Sequence, residues 1–475
     1  MSTDVTPHHM DSYDVAVVGA GSGGLATAIF LARSGMQVAC IDPNPFPHQY
    51  VGESLDWSAP ELLRQLGLNP AQLVASKAAT VKGSIRIEPP DSPAWYARPP
   101  KWLGRRPFGI ELTTLHVDRK AVDQALYELA CRLNVKFIQD RIIAIVTEND
   151  LVRSVQSSGG RRIGAKWFVD ASGRARLFAK HLDIQRTTFG PQKVCLWAYF
   201  NSSPHNNGTT FFPNSAHDTY LTWLWDIPIN PTTTSVGCIM SADRLNHLRH
   251  AGMGVDEILR QEMAPHTRFA PLLEHNEAIK VSTCSYQTYV NDRAAGPNWF
   301  AVGEASSMPD PFTGNGVTAA YRQAREASQA IIDCRQAEST TTRQQRAYTA
   351  NVQRMGRILN HGIESIIYDY PVRVGLGLRA AQTAYATPAW LSNMLYSKLI
   401  RRGKPTMHLF SLWLIIAHLW IGAWNLAGKL VCRCRSLSFD ATTTQSTESS
   451  TRGPNRPLRS PNPTRREAMQ QNSDA

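Results

Sequence analysis

Residues 13–24 read Tyr-Asp-Val-Ala-Val-Val-Gly-Ala-Gly-Ser-Gly-Gly. Tyr13–Val18 is apolar and β-branched and runs into a glycine cluster, the pattern of a strand buried on both faces of a parallel sheet. The glycines follow the order GxGxxG. Gly19 suits a tight turn, Gly21 lets backbone approach a pyrophosphate and Gly24 lets helix and strand pack closely, with Ala20, Ser22 and Gly23 between them. A helix over Leu25–Arg33 would then aim unpaired N–H groups at phosphate charge. The next strand, Gln37–Ile41, ends at Asp42, 23 residues beyond Gly19, where a carboxylate can accept ribose hydroxyls. Strand, glycines and acid together predict a βαβ unit that binds a dinucleotide.

The whole chain of 475 residues is long enough for two or three folding units and is 43% hydrophobic, which excludes disorder throughout. Eight scattered cysteines, with Cys432 and Cys434 the one close pair, form neither a disulfide framework nor a zinc site. The opening residues lack the basic-then-apolar pattern of a secretory signal, so a reducing, cytoplasmic setting is expected. The net charge of +12 is concentrated: from Arg401 onward there are eleven Lys/Arg against four Asp/Glu. The remainder has no basic stripe interleaved with aromatics, which argues against nucleic acid as a partner.

Composition divides the chain into a nucleotide-binding part over 12–185, a β-rich insertion over 186–290 and a return to the first part over 291–330. A helical region follows over 331–435, then a tail over 436–475 rich in Ser, Thr, Pro, Asn and Arg and expected to be disordered. The apolar run 409–428, flanked by basic residues, has two readings: a buried C-terminal helix, or a helix that touches or enters a membrane. His247 and His250 read as a solvated helical face rather than a metal site.

Four further segments bear on the cofactor. They are Val51-Gly52-Glu53-Ser54-Leu55, Phe168-Val169-Asp170-Ala171-Ser172-Gly173-Arg174, the run from Phe300 through Gly303-Glu304 to Pro311, and Phe312-Thr313-Gly314-Asn315-Gly316 opening a helix at Val317. In this order they resemble the FAD contacts of the glutathione-reductase-like flavoproteins. Trp223-Leu224-Trp225-Asp226-Ile227-Pro228 fits the W-x-W-x-I-P signature of one branch, the flavin-dependent halogenases, and that resemblance covers most of residues 12–330.

The resemblance implies an α/β fold: a Rossmann-like FAD-binding domain, an inserted antiparallel β-sheet substrate domain and C-terminal helices. It places Glu53, Ser54, Arg119, Asp170, Gly303, Glu304, Gly316 and Val317 at the FAD. Trp223 and Trp225 would wall the flavin from the organic substrate. Lys82, 63 residues beyond Gly19, would deliver hypohalous acid to the ring. Reduced FAD would come from a separate flavin reductase, since no second glycine-rich nucleotide motif is present.

Departures are equally specific. Met308 stands where the family's late turn has Phe, Gly314 where it has Ser, and Thr313 where tryptophan halogenases have a glutamate. A halide ion would then rest on the Asn315 amide and the Gly316 N–H. Free tryptophan is disfavoured as substrate, and a phenolic, pyrrolic or carrier-tethered aromatic is expected. The alternative enzyme is a flavin monooxygenase or geranylgeranyl-reductase-like oxidoreductase that uses no halide. The alternative without catalysis is a flavin-binding scaffold.

Overall fold

The computed structural model describes residues 11–44, 50–88, 94–97, 113–202, 206–214, 220–275, 280–336, 342–364, 368 and 423. Most of the 409–428 run and all of the 436–475 tail lie outside them. No helix among the described residues is long and apolar enough to cross a membrane.

The opening strand, Asp11–Val18, lies in parallel between Val38–Asp42 and Arg162–Asp170. With neighbours on both sides and helices above, Val15, Ala16 and Val17 are wholly buried, which is why this strand is apolar without alternation. The sheet continues in order Ala295–Gly296, Trp299–Ala301, Arg162–Asp170, Asp11–Val18, Val38–Asp42, Lys136–Gln139. Helix Ser22–Arg33 crosses from the first strand to the second and packs on helix Gly316–Gln336. A Cβ on Gly24 would fall 1.9 Å from the Gly19 carbonyl oxygen, so the helix can lie this close only on glycine.

The second sheet is antiparallel through Ser282–Asn291, Arg186–Asn201, Thr233–Ser241, Thr222–Asn230 and Gly208–Asn214. It does not stay within the expected 186–290. Ser84–Ile87 joins in parallel at Gly208–Phe211, Trp95–Ala97 adds beyond it, and Ser307–Met308 closes the opposite edge. These strands cross the composition boundary because edge pairing depends on backbone geometry, which short polar strands do not advertise.

Both faces of this sheet are covered. Leu196, Phe212, Leu224, Val236 and Cys238 pack on helices Ala242–His250 and Val255–Met263. Cys195, Phe211, Trp223, Trp225, Ile239 and Tyr286 face the other way, onto Met308, Phe312, Ile363 and Tyr368. Strand period two thus sends both motif indoles to one face and Leu224 to the other. A third, two-stranded ladder pairs Ala79–Lys82 with Thr114–Val117.

A Cβ on Gly237 would meet the Trp225 ring at 2.2 Å and the Leu196 carbonyl oxygen at 2.6 Å. Gly237→Ala is expected to destabilise the fold by about 2 kcal/mol through overpacking. A urea midpoint unchanged from wild type contradicts the register that lays Trp225 over this glycine.

Candidate active site

The glycine-rich turn is built for a ligand. Gly19 has φ +107° and a Cβ there would strike the Ala171 carbonyl oxygen at 2.3 Å, so the loop after the third parallel strand closes directly over it. At Gly21 the reverse holds: a Cβ would meet nothing within 4 Å, and backbone faces open space. Gly21 is also the N-cap of helix Ser22–Arg33, which has no side-chain cap. Positive potential at that helix end is therefore left for an incoming anion.

Arg119 stands beside it. Asp118 caps the helix Arg119–Arg132, which fixes where the arginine emerges. The buried guanidinium donates to the Ser22 hydroxyl at 2.7 Å, to the Asp123 carboxylate at 2.8 Å and to the Val51 carbonyl at 3.1 Å. Burial opposes its charge, but the carboxylate one helical turn away outweighs that and holds it protonated. Asp42 accepts from the Ala20 N–H at 2.7 Å and the Asn44 N–H at 2.9 Å, which pins its carboxylate at the rim of the turn.

A second group of residues, around Glu304 and Asn315, also carries polar atoms without partners. Glu304, after the strand Trp299–Ala301, has a side chain 43% exposed, with the Arg174 guanidinium 3.7 Å away. Gly303 adopts φ +64° and donates its N–H to the Gln323 side chain at 2.6 Å. The Asn315 amide oxygen and the Thr318 hydroxyl are buried without a hydrogen-bond partner. A Cβ on Gly316 would again meet nothing within 4 Å. Open backbone at both helix ends, a paired arginine and orphaned acceptors between them fit FAD.

Two of the residues expected at the cofactor make bonds within the fold. Asp170 is fully buried and accepts the Ser172 and Phe178 N–H groups at 3.0 and 2.9 Å. Its carboxylate shapes the turn, and burial pushes it above its ordinary range despite those bonds. Glu53 is likewise buried. It accepts the Gly52 N–H at 2.8 Å and the Tyr199 hydroxyl at 2.9 Å, and so ties its loop to the second sheet. Ser54 accepts from the Lys82 ammonium at 2.8 Å and shares a bond with the Thr209 hydroxyl at 3.0 Å. Val317 approaches Gly52, its methyl 3.3 Å from where a Cβ on that glycine would sit.

The late turn meets the tryptophan motif through Phe312. That ring stacks on Phe211 at 4.8 Å and meets Trp223 edge-on at 5.3 Å. The Trp223 N–H donates to the Tyr368 hydroxyl at 2.9 Å, which donates in turn to Asp310 at 3.1 Å. Trp225 lies one step back, 5.9 Å from Trp223, its N–H on the Ser235 hydroxyl. So Trp223 touches the late turn directly, and Trp225 supports it from the sheet. Gly314 has φ +60°, and a Cβ there would sit 2.9 Å from the Ser54 carbonyl oxygen. The serine expected at this position would be strained twice over, by conformation and by contact.

Lys82 ends the Ala79–Lys82 strand and is 2% exposed. Its ammonium donates to the Ser54 hydroxyl at 2.8 Å and the Leu55 carbonyl at 3.2 Å, and lies 5.1 Å from the Trp57 ring centre. Burial pulls it down to about 8, against the opposing effect of Asp56. Since Ser54 backbone abuts Gly314, the lysine sits behind the same late turn that Trp223 touches.

Several site residues carried no readable signal. His116, Thr209 and Tyr368 reach the site from positions that are distant in sequence. Lys193 is fully buried against Asp310, 3.4 Å away, and against Glu364, 171 residues further on. Only Asp123 could have been anticipated, four residues after Arg119 on one helix face.

The family described as tryptophan halogenase matches residues 112–361, more than half of the chain, and the pyridine nucleotide-disulphide oxidoreductase family matches residues 13–185. The chain is 26% identical over 338 residues to a tryptophan 2-halogenase of Chondromyces crocatus, covering 67% of this chain and 61% of that enzyme's length. It is 25% identical over 345 residues to a 1H-pyrrole-2-carbonyl-[peptidyl-carrier protein] chlorinase of Pseudomonas fluorescens, covering 68% of this chain and 76% of that one. Among solved structures, a flavin-dependent brominase superposes with TM-score 0.61 at 18% identity, over 90% of this chain and all of that one, which shows the shared fold. With a match across most of the second sheet, the late turn and both motif tryptophans, the chain belongs to the flavin-dependent halogenase family.

Proposed function

We propose that this protein halogenates an electron-rich aromatic ring, phenolic, pyrrolic or tethered to a carrier protein, using reduced FAD, O₂ and halide. The observation that carries the reading is Lys82: a buried ammonium joined to Ser54, whose backbone presses on the late turn. A lysine is rarely placed out of water without a task, because desolvation costs several kcal/mol per ion. The relatives' carrier-bound pyrrole supports the substrate class, and a separate flavin reductase is the partner we infer.

Gly19–Gly24, Asp42 and Arg119 would hold the adenosine diphosphate half of FAD, and Glu304, Gly303, Asn315, Gly316 and Val317 the flavin half. Reduced FAD, when bound, supplies the electrons that let O₂ oxidise a halide to hypohalous acid. Backbone N–H groups at Gly316 and the Asn315 amide would hold the halide at the open helix end. Trp223, Phe211 and Phe312 form an apolar wall that keeps water and the organic ring from that end. Lys82 donates a hydrogen bond to the hypohalous oxygen, which polarises the O–halogen bond; as the C–halogen bond forms, hydroxide leaves and takes up the ring proton as water.

The reaction test supplies reduced FAD, O₂ and bromide with a panel of phenols and pyrroles. Brominated product is expected from wild type. Lys82→Ala is expected to lose it at least a hundredfold while retaining bound FAD. A product that gains one oxygen and no bromine, or bromination by Lys82→Ala at the wild-type rate, contradicts the proposal.

The same lysine makes a stability prediction. Its folded value lies below the unfolded one, so the fold binds fewer protons between about 8 and 10.5, and the burden is full below that window. Lys82→Met is therefore expected to raise thermal stability at pH 7, by up to about 3 kcal/mol less the two lost hydrogen bonds. The advantage should fade as pH rises through 8 toward 10.5. A stability difference between the two proteins that does not change between pH 7 and 10.5 shows that the lysine is not held out of water.

A further inference from the structure

A hydrogen-bonded chain runs from Lys82 to the tryptophan motif. The Lys82 ammonium donates to the Ser54 hydroxyl at 2.8 Å, and Ser54 and Thr209 share a bond at 3.0 Å. Thr209 lies 2.8 Å from His116 Nε2, and His116 Nδ1 lies 3.3 Å from the Thr80 hydroxyl. Thr80 donates to the carbonyl of Pro228 at 2.5 Å. His116, Lys82 and Thr209 are all buried, at 2% exposure or less.

The direction of every bond follows from its two ends. A hydroxyl has one proton to give, and Thr80 gives it to the Pro228 carbonyl, which can only accept. Thr80 must then receive the proton on His116 Nδ1. The imidazole is neutral, since burial and the nearby Lys82 charge both hold it well below its ordinary range. A neutral ring protonated at Nδ1 accepts at Nε2, so Thr209 donates there. Ser54 must donate to Thr209, and its lone pairs are left facing Lys82. With a protonated His116, Nε2 would donate to Thr209, whose own proton would be free to turn toward Ser54, and the Ser54 hydroxyl would no longer be held in one orientation.

We propose that His116 is the positioning residue of Lys82: through Thr209 and Ser54 it aims an acceptor at the ammonium, with the motif's own Pro228 as the fixed end. The inference rests on the proposed reaction only for its effect on chemistry. Loosening the chain lets the ammonium drift from the hypohalous acid, which then escapes. The charged and titratable groups bearing on Lys82 are Asp56, from the turn before helix Ala59–Leu66, and His116 across the ladder. Thr209 and Pro228, from the second sheet, carry no charge. Arg322 faces Asp56 at 3.6 Å from the long late helix.

The test uses full-length protein labelled with ¹⁵N at lysine Nζ, the Lys82 signal being assigned by its loss in Lys82→Met. In His116→Phe and in Thr209→Val the Lys82 titration midpoint is expected to fall by about half a pH unit or more, because the ammonium loses its oriented acceptor. His116→Gln, which places an amide oxygen where Nε2 accepts, should restore it. In turnover with bromide and a soluble trap for hypohalous acid, the trapped fraction should rise several-fold in His116→Phe at equal O₂ consumption. A folded, FAD-binding His116→Phe or Thr209→Val whose Lys82 midpoint and trapped fraction both match wild type overturns the proposal. A wild type that halogenates nothing while Lys82 still follows His116 overturns the reaction and supports the positioning.

Discussion

Everything at the site follows from keeping one ammonium out of water. Lys82 is tolerated in the interior because Ser54 and Leu55 supply acceptors and Trp57 a ring face. Those three residues belong to the loop after Glu53, and that loop is fixed by the Gly52–Glu53–Tyr199 bonds and by its contact with Gly314. The lysine, the loop and the late turn therefore hold one another in place. Lys82's strand in turn bonds to the second sheet through Thr80 and Pro228. A side chain that is costly to bury has thereby become the point where three parts of the chain are registered.

The two sheets divide the labour. The parallel sheet leaves open backbone at Gly21 and Gly316 and surrounds it with cations and unpaired acceptors. The antiparallel sheet closes the opposite side with rings: Phe211 and Trp223 meet Phe312, and Tyr368 relays the Trp223 N–H to Asp310. One set of groups is polar and charged, the other a cluster of aromatic rings. Asp310 has charged neighbours of its own, since Lys193 lies within 3.4 Å under the Tyr220, Tyr286 and Tyr368 rings. The late turn is thus braced by an ion pair behind it, which lets its front face remain bare.

What could be read from sequence was mostly local. Gly19, Gly24 and Asp42 declare themselves because turn, close packing and strand end fall within 23 residues. The indoles at 223 and 225 are legible because strand period alone puts them on one face. Lys82 is singled out by its distance from Gly19, while its burial depends on Ser54, Leu55 and Trp57, which lie 25 to 28 residues before it. Asp170 is ambiguous in sequence: a carboxylate after a parallel strand can serve a ligand or its own turn, and the bonds from the Ser172 and Phe178 N–H groups appear only in the fold. Gly314 looked like a missing serine, whereas its positive φ and the approach of Ser54 demand glycine. His116 and Thr209, 93 residues apart, met through strand pairing that no local pattern encodes.

The most direct measurement is a crystal structure of the FAD complex soaked in bromide, read by anomalous scattering. The account predicts a bromide peak within hydrogen-bond distance of the Asn315–Gly316 backbone, on the side closed by Trp223 and Phe312 and open toward Lys82. Full FAD occupancy with that position empty, or with an unobstructed channel from the flavin to the organic pocket, would contradict it.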